Sequence, residues 1–328
     1  MKGLTTPLRF LLTSSQVGHA SRRLFHGTPR ALGHENPLGL PVKGVPPKFS
    51  RGLPQKRPIP NVAHIIAVSS AKGGVGKSTI AANLALAFSR LNLRAGILDA
   101  DLHGPSIPTL FSLTSPHHTA QLTPANQLVP LQNYGVKTMS IGYLVPPSSS
   151  DSPIIWRGPM LLKALQQLLH EVSWGGSSGG GGGGLDVLIL DLPPGTGDIQ
   201  LSITQQVPLD GAVVVTTPHT LAVKDAVKGV GMFQKVQVPV LGLVQNMSVF
   251  CCPHCQGETA VFGGNEAVRK MCEDKGIEVL GDVPLHPNIG EDGSRGKPTV
   301  VSEPDSPRAK VFIDVARKLA AKINLPIE

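Results

Sequence analysis

The chain has 328 residues, of which 41% are apolar and 16% charged, and a formal net charge of +8. Its length suits about two domains or one large α/β domain, and its composition excludes a wholly disordered chain or a charged fibre. No stretch approaches the roughly 18 consecutive apolar residues of a membrane-spanning helix, which excludes an integral membrane protein.

The excess charge sits at the start of the chain. Ten lysines and arginines against one acid, Glu35, give residues 1–60 a charge of +9 and leave the remainder at −1. A near-neutral body has no general attraction for a polyphosphate backbone, so nucleic acid is not an expected partner. Residues 1–33 lack any acid and interleave Leu4, Leu8, Phe10, Leu24 and Phe25 with their cations. That is the composition of a mitochondrial transit peptide, and the run Phe10–Leu12 is too short for a secretory signal. A disordered basic tail is the alternative. Residues 34–60 carry seven prolines from Pro37 to Pro60 and are expected to form an extended connector. Residues 61–328 are then the folded domain, working in the mitochondrial matrix.

Ile65–Val68 is a short apolar run followed by a glycine loop, and Thr79–Leu91 carries apolar residues at helical spacing. Strands are predicted at Ala95–Leu98, Val187–Leu190, Ala212–Val215 and Val240–Val244. They alternate with helices predicted at Pro159–Glu171, Leu221–Lys235 and Asn265–Lys275. Continuous apolar strands separated by helices imply an α/β fold, a mostly parallel, doubly wound sheet with helices on both faces. The tract 175–184 contains eight glycines and precedes a strand, so it reads as a flexible insertion without a ligand. Ser306-Pro307 starts a final helix. Its stripe of Val311, Phe312, Val315, Leu319 and Ile323 reads as core packing, with peripheral contact to the inner mitochondrial membrane as the alternative.

Ala71-Lys72-Gly73-Gly74-Val75-Gly76-Lys77-Ser78-Thr79 lies between the first strand and the first helix, the context of a P-loop. Its glycines let backbone N–H groups converge on phosphate oxygens at a helix N-terminus. Lys77 is expected on the β- and γ-phosphates of ATP and the Ser78 hydroxyl on Mg²⁺. The strict pattern has Gly where Ala71 stands. Asp99 and Asp101 close the second strand, where side chains meet the ligand crevice, although either could be a turn or cap residue. Asp191 ends a strand in the Walker B manner and would hold Mg²⁺ through water, while Gly195 could move its amide toward a γ-phosphate. Asn246 is expected to end its strand, as a base-reading amide or as a turn residue.

Of the four cysteines, Cys251, Cys252 and Cys255 fall within five residues. In a matrix protein, Cys252-Pro253-His254-Cys255 points to metal or redox chemistry more than to a structural disulfide. Two thiolates are half of the roughly four ligands that zinc or a [4Fe–4S] cluster takes. Two chains supply the pair twice, so a cluster bridging a homodimer solves the count. The alternatives are a thioredoxin-type pair, or zinc completed by Cys251, His254 or Cys272. Cys272, on a predicted helix, reads as a buried small hydrophobe.

The P-loop, Asp99-Ala-Asp-Leu-His-Gly-Pro-Ser106, Trp156-Arg-Gly-Pro-Met160, Asp191-Leu-Pro-Pro-Gly-Thr-Gly-Asp198 and Asn246-Met-Ser with the Cys252–Cys255 pair together resemble the Mrp/Nbp branch of MinD-like ATPases, from about Gly52 onward. The departures are Ala71, His103 and the glycine insertion. The resemblance implies a MinD-like P-loop NTPase with a deviant Walker A loop, in which Lys72 reaches the phosphates of a second subunit. It implies that Asp101 orients the attacking water, that Asp99 helps the magnesium shell and that Asn246 reads adenine. With the leader, it implies a homodimeric carrier of a labile [4Fe–4S] cluster for apo iron–sulfur proteins of respiratory complex I, and a weak Mg²⁺-dependent ATPase serving the transfer. A positioning ATPase like other members of the wider family, or a zinc-binding, nucleotide-dependent interaction protein, is the competing expectation.

Overall fold

The computed structural model describes residues 56–115, 117–144, 158–175, 183–252, 254–255 and 257–327. The leader, most of the connector, Trp156-Arg157, residues 176–182 of the glycine tract and Pro253 lie outside the described residues.

Nine strands form one sheet among the described residues. In chain order they are β1 (Val62–Ser69), β2 (Ala95–Asp99), β3 (Leu131–Asn133), β4 (Val136–Ser140), β5 (Leu185–Asp191), β6 (Gly211–Thr216), β7 (Val240–Cys251), β8 (Glu258–Thr259) and β9 (Val279–Leu285). The helices are α1 (Lys77–Arg90), α2 (Ile107–Leu110), α3 (Gly158–His170), α4 (Asp198–Gln206), α5 (Thr220–Lys235), α6 (Glu266–Lys275), α7 (Pro287–Ser294), α8 (Thr299–Ser302) and α9 (Pro307–Lys322).

The strand order is β3-β4-β2-β5-β1-β6-β7-β8, with β9 also on β7. The pairs β3–β4 and β7–β8 are antiparallel and the others parallel. Side chains of β1 and β5 from Ile66 to Val68 and Val187 to Leu190 are fully buried, as expected of strands covered on both faces. From the central β1 the chain moves one way through α1 to β2. Later it moves the other way, from β6 through α5 to β7. Right-handed crossovers in opposite directions put α1 and α5 on opposite faces, so the doubly wound arrangement expected from the sequence holds. The reversal beside β1 opens a crevice at the strands' carboxyl ends.

Four differences from the sequence reading have physical causes. The connector does not run to Pro60: the Arg57 N–H donates to Gln206 O at 2.7 Å and Ile59 is buried in the core, so the domain begins before residue 61. The end of the glycine tract is not free filler, because a Cβ on Gly184 would lie 2.3 Å from the Asn61 carbonyl oxygen. β7 is twelve residues long and does not stop at Val244. Asn246 therefore lies inside a strand, and the irregularity that follows it is Met247 at φ 55°, where the pairing with β9 shifts register.

The last helix forms as the sequence predicts and packs against the core. Ser306 Oγ accepts the Ala309 N–H at 3.1 Å, with Pro307 in the first turn, as the sequence predicts. Phe312, Val315 and Leu319 are buried against the core, each such side chain contributing about 1.5–3 kcal/mol. Most of the stripe is spent on packing, with Val311 half-buried at its edge. No described helix is long and apolar enough to cross a membrane.

Candidate functional site

β1 ends at Ser69, and the loop that follows folds back onto α1. Gly74 and Gly76 take φ 79° and 84°, conformations that side chains resist. The Ser70 hydroxyl donates to Lys72 O at 3.0 Å, and the Gly195 N–H donates to Ser70 O at 2.9 Å. Gly195, at φ 98°, is thus tied to the loop from the Asp191 side. Asn246 braces the same loop from β7: its Nδ2 donates to Val75 O at 2.8 Å, and a Cβ on Gly76 would lie 2.2 Å from that nitrogen. The buried Asn246 amide is therefore engaged with the loop and does not end a strand beside a crevice.

A cavity of about 480 Å³ opens on this loop. Gly73, Gly74, Gly76, Lys77, Ser78, Thr79 and Asp101 line one side, so the sequence-predicted phosphate residues come together around one space. The volume falls in the range of small-ligand sites. Val75 is turned into the core, and Lys72, next to Gly73 in the chain, is exposed and does not line the cavity. The far wall comes from Thr109 on α2 and from Ile289, Gly290 and Gly293 on α7. Those wall residues carry no recognisable motif; the only local sign is a short Pro-capped helix with two glycines.

Beneath the cavity, Lys77 Nζ donates to Asp191 Oδ1 at 2.5 Å and to Ser78 Oγ at 3.1 Å. Both charged groups are buried. Burial raises the Asp191 pKa, against the pull of the Lys77 charge. Asp191 Oδ2 is buried and has no hydrogen-bond partner. An unsatisfied carboxylate oxygen beside the Ser78 hydroxyl is the donor set Mg²⁺ takes, so these residues fit that ion.

Asp99 departs from its expected part in a magnesium shell. Its Oδ1 accepts the Asp101 N–H at 3.1 Å. Its Oδ2 accepts the Ser106 N–H at 3.0 Å, the Ile107 N–H at 3.2 Å and the Ser140 hydroxyl at 3.1 Å. All four donors point into a fully buried carboxylate, so Asp99 fixes the loop that carries Asp101 and anchors the start of α2. Burial, then the neighbouring Asp191, push its pKa up to about 7, while the N–H donors pull it down. Asp101 is the member of the pair that reaches the cavity.

The cysteine motif sits on an arm of the sheet. β7 runs on past β6, and its end pairs with β8 through Phe250–Thr259 and Cys251–Glu258. The Cys252 N–H closes the hairpin on Gly257 O at 3.0 Å. At the tip, Cys255 and His254 are exposed and Cys252 half-buried. The Cys252 thiol pKa is lowered by the backbone N–H of Cys255, then by that of His254 and by the Cys255 thiol. The two sulfurs are therefore neighbours, and the surrounding donors favour ionisation of Cys252 over that of an ordinary thiol. Cys272 is buried on α6, with its pKa raised by burial, as a small hydrophobe would be. Among the described residues no three His, Cys, Asp or Glu gather as a metal-ion set, so one chain offers the arm's two sulfurs. Because β1, β5 and β7 are parallel, the arm leaves the same edge of the sheet as the P-loop and Asp191.

A family model described as the NUBPL iron-transfer P-loop NTPase, of the ParA group, matches residues 61–320. The iron-sulfur cluster transfer protein NUBPL of Dictyostelium discoideum is 51% identical over 267 residues, 81% of this chain and 79% of that one. The iron-sulfur protein required for NADH dehydrogenase, mitochondrial, of Arabidopsis thaliana is 45% identical over 259 residues, 79% of this chain and 78% of that one. Among solved structures, a nucleotide-binding protein of Archaeoglobus fulgidus in complex with ADP superposes with a TM-score of 0.61 at 33% identity, covering 77% of this chain and 93% of that one. A loop built for phosphate, an arm presenting two thiols on the same sheet edge, and these matches agree: the chain belongs to the NUBPL iron-transfer branch of the ParA-type P-loop NTPases.

Proposed function

We propose that the chain is an ATP-dependent iron–sulfur cluster carrier that delivers a [4Fe–4S] cluster to apo-proteins of respiratory complex I in the mitochondrial matrix. The observation that carries this reading is the pair of neighbouring, exposed-tip thiols Cys252 and Cys255 on the edge of the sheet that also bears the P-loop. The family's iron-transfer description, and a relative named for its requirement in NADH dehydrogenase, support the cargo and the client. The acid-free basic leader, residues 1–33, followed by a connector, supports the compartment.

Two thiolates are half a cluster site, so two chains bring Cys252 and Cys255 together twice. Exposed Lys72, next to the cavity-lining Gly73, can extend toward the phosphates bound by the second chain. Within one chain, the loop's N–H groups and Lys77 bind the β- and γ-phosphates. Lys77 exchanges part of its contact with Asp191 for the nucleotide. Asp101 orients the attacking water, and Gly195 turns its amide from Ser70 O toward the γ-phosphate. Asn246 supports the loop through Val75 O, and its buried amide, which does not line the cavity, is not the group that meets adenine. Ser78 Oγ and the orphaned Asp191 oxygen would hold Mg²⁺, which would supply charge neutralisation. The result is slow hydrolysis that gates cluster handling, with no covalent intermediate on the protein.

Anaerobic transfer tests the reading. The cluster-loaded chain should activate an apo-[4Fe–4S] acceptor protein faster than free iron and sulfide do, and a Lys77→Ala variant should lose the ATP dependence of that rate. Activation no faster than with free iron and sulfide would overturn it.

A further inference from the structure

The cavity and the thiol arm are joined by one short piece of backbone. Asn246 Nδ2 holds Val75 O at 2.8 Å, and the space above Gly76 is filled by that nitrogen. The terminal methyl of Met247 lies 4.0 Å from the same point. Any shift of the loop's last turn therefore presses on Asn246 and Met247. Met247 itself stands at φ 55°, a conformation that an L side chain adopts only under constraint. The pairing of β7 with β9 is broken between Asn246 and Phe250, so the strand is not stiffened by a regular ladder there. Within the break, Ser248 Oγ reaches β9, donating to Val283 O at 3.1 Å, and beyond it Phe250 and Cys251 pair with β8. Cys252 follows five residues after Met247.

We infer that Asn246 and Met247 form a strut that couples occupancy of the P-loop to the setting of the Cys252–Cys255 arm. Asn246 is the contact with the loop, and Met247 is the bend that turns loop movement into reorientation of the hairpin. Both are positioning residues and neither meets the cluster. The inference rests on the reading of the cavity as a nucleotide site and of the arm as the thiol site. It adds the route between them, a discrete kink that both sites bear on.

The test uses the full chain, reduced and without cluster. Alkylation rates of Cys252 and Cys255 are followed by peptide mass spectrometry with and without saturating Mg-ATP, and nucleotide affinity is measured in parallel. In the wild type, Mg-ATP should change the rates at least about fivefold, the lower end of ordinary intersite coupling. Met247→Gly adopts the same φ without constraint. It should bind nucleotide within about twofold of wild type and cut the ATP response of the thiols below about twofold. A full response in Met247→Gly would overturn the strut, as would a wild type that binds ATP without any change at the thiols. A wild type that fails to bind ATP would overturn the nucleotide reading, and the strut with it. Should Met247→Gly not fold, hydrogen exchange at the Cys252 amide of the wild type decides, because exchange unchanged by Mg-ATP overturns the strut on its own.

Discussion

Lys77 and Asp191 are both buried, and each is the other's main compensation. Removing one partner of a buried pair leaves an unpaired charge, at a cost of about 3–5 kcal/mol. Lys77→Ala should therefore lower the urea midpoint as well as abolish nucleotide binding. The double variant Lys77→Ala, Asp191→Asn should recover much of the stability and none of the binding, and unfolding curves beside a nucleotide titration would check both. The thiols make a second prediction at this scale. N–H donors favour the Cys252 thiolate, so its ionisation moves to lower pH than that of an ordinary thiol. Burial favours neutral Cys272, whose ionisation moves up. At about pH 7, iodoacetamide should modify Cys252 at least about tenfold faster than Cys272, and acidification should slow Cys252 less than a free thiol. Equal rates in the folded chain would contradict the arrangement. Asp99 shows where single residues outrun their sequence. A carboxylate closing a strand is legible, but whether it faces the cavity or the loop behind it depends on Ser106, Ile107 and Ser140 arriving from elsewhere.

The elements that a sequence displays best are those with unbroken apolar runs. β1, β2, β5 and β6 are buried on both faces, and α1, α5 and α9 carry helical stripes with recognisable ends, so their existence is plain. β9 is hidden because Gly281, Asp282 and Pro284 interrupt its run, and α7 because two glycines and a proline disguise an eight-residue helix. The extension of β7 to Cys251 is hidden for another reason: its last residues are held by a two-residue partner, β8, which has no pattern of its own. Glycines test the account of packing at this scale. Gly184→Ala should destabilise by about 1–3 kcal/mol, since the new Cβ would meet the Asn61 backbone. Gly231→Ala, in α5 with nothing within 4 Å of the new methyl, should stabilise by about 0.5–1 kcal/mol. Thermal unfolding of the two variants should move in opposite directions.

For the molecule as a whole, the parallel sheet puts phosphate chemistry and thiol chemistry on one edge, and that juxtaposition depends on strand order more than on either motif. The P-loop and the Cys-x-x-Cys pair are legible separately. Their shared edge follows from β7 lying beyond β6 in parallel with β1, which only the assembled sheet displays. The exposed tip of the arm, with two sulfurs per chain, leads to the central claim that two copies complete one cluster site. Native mass spectrometry of the anaerobically reconstituted chain, with iron, sulfide and zinc analysis, tests it most directly. The account predicts a dimer holding about four irons and four sulfides, lost together in a Cys252→Ala, Cys255→Ala variant. A monomer carrying one zinc, or a cluster that survives loss of both cysteines, would contradict it.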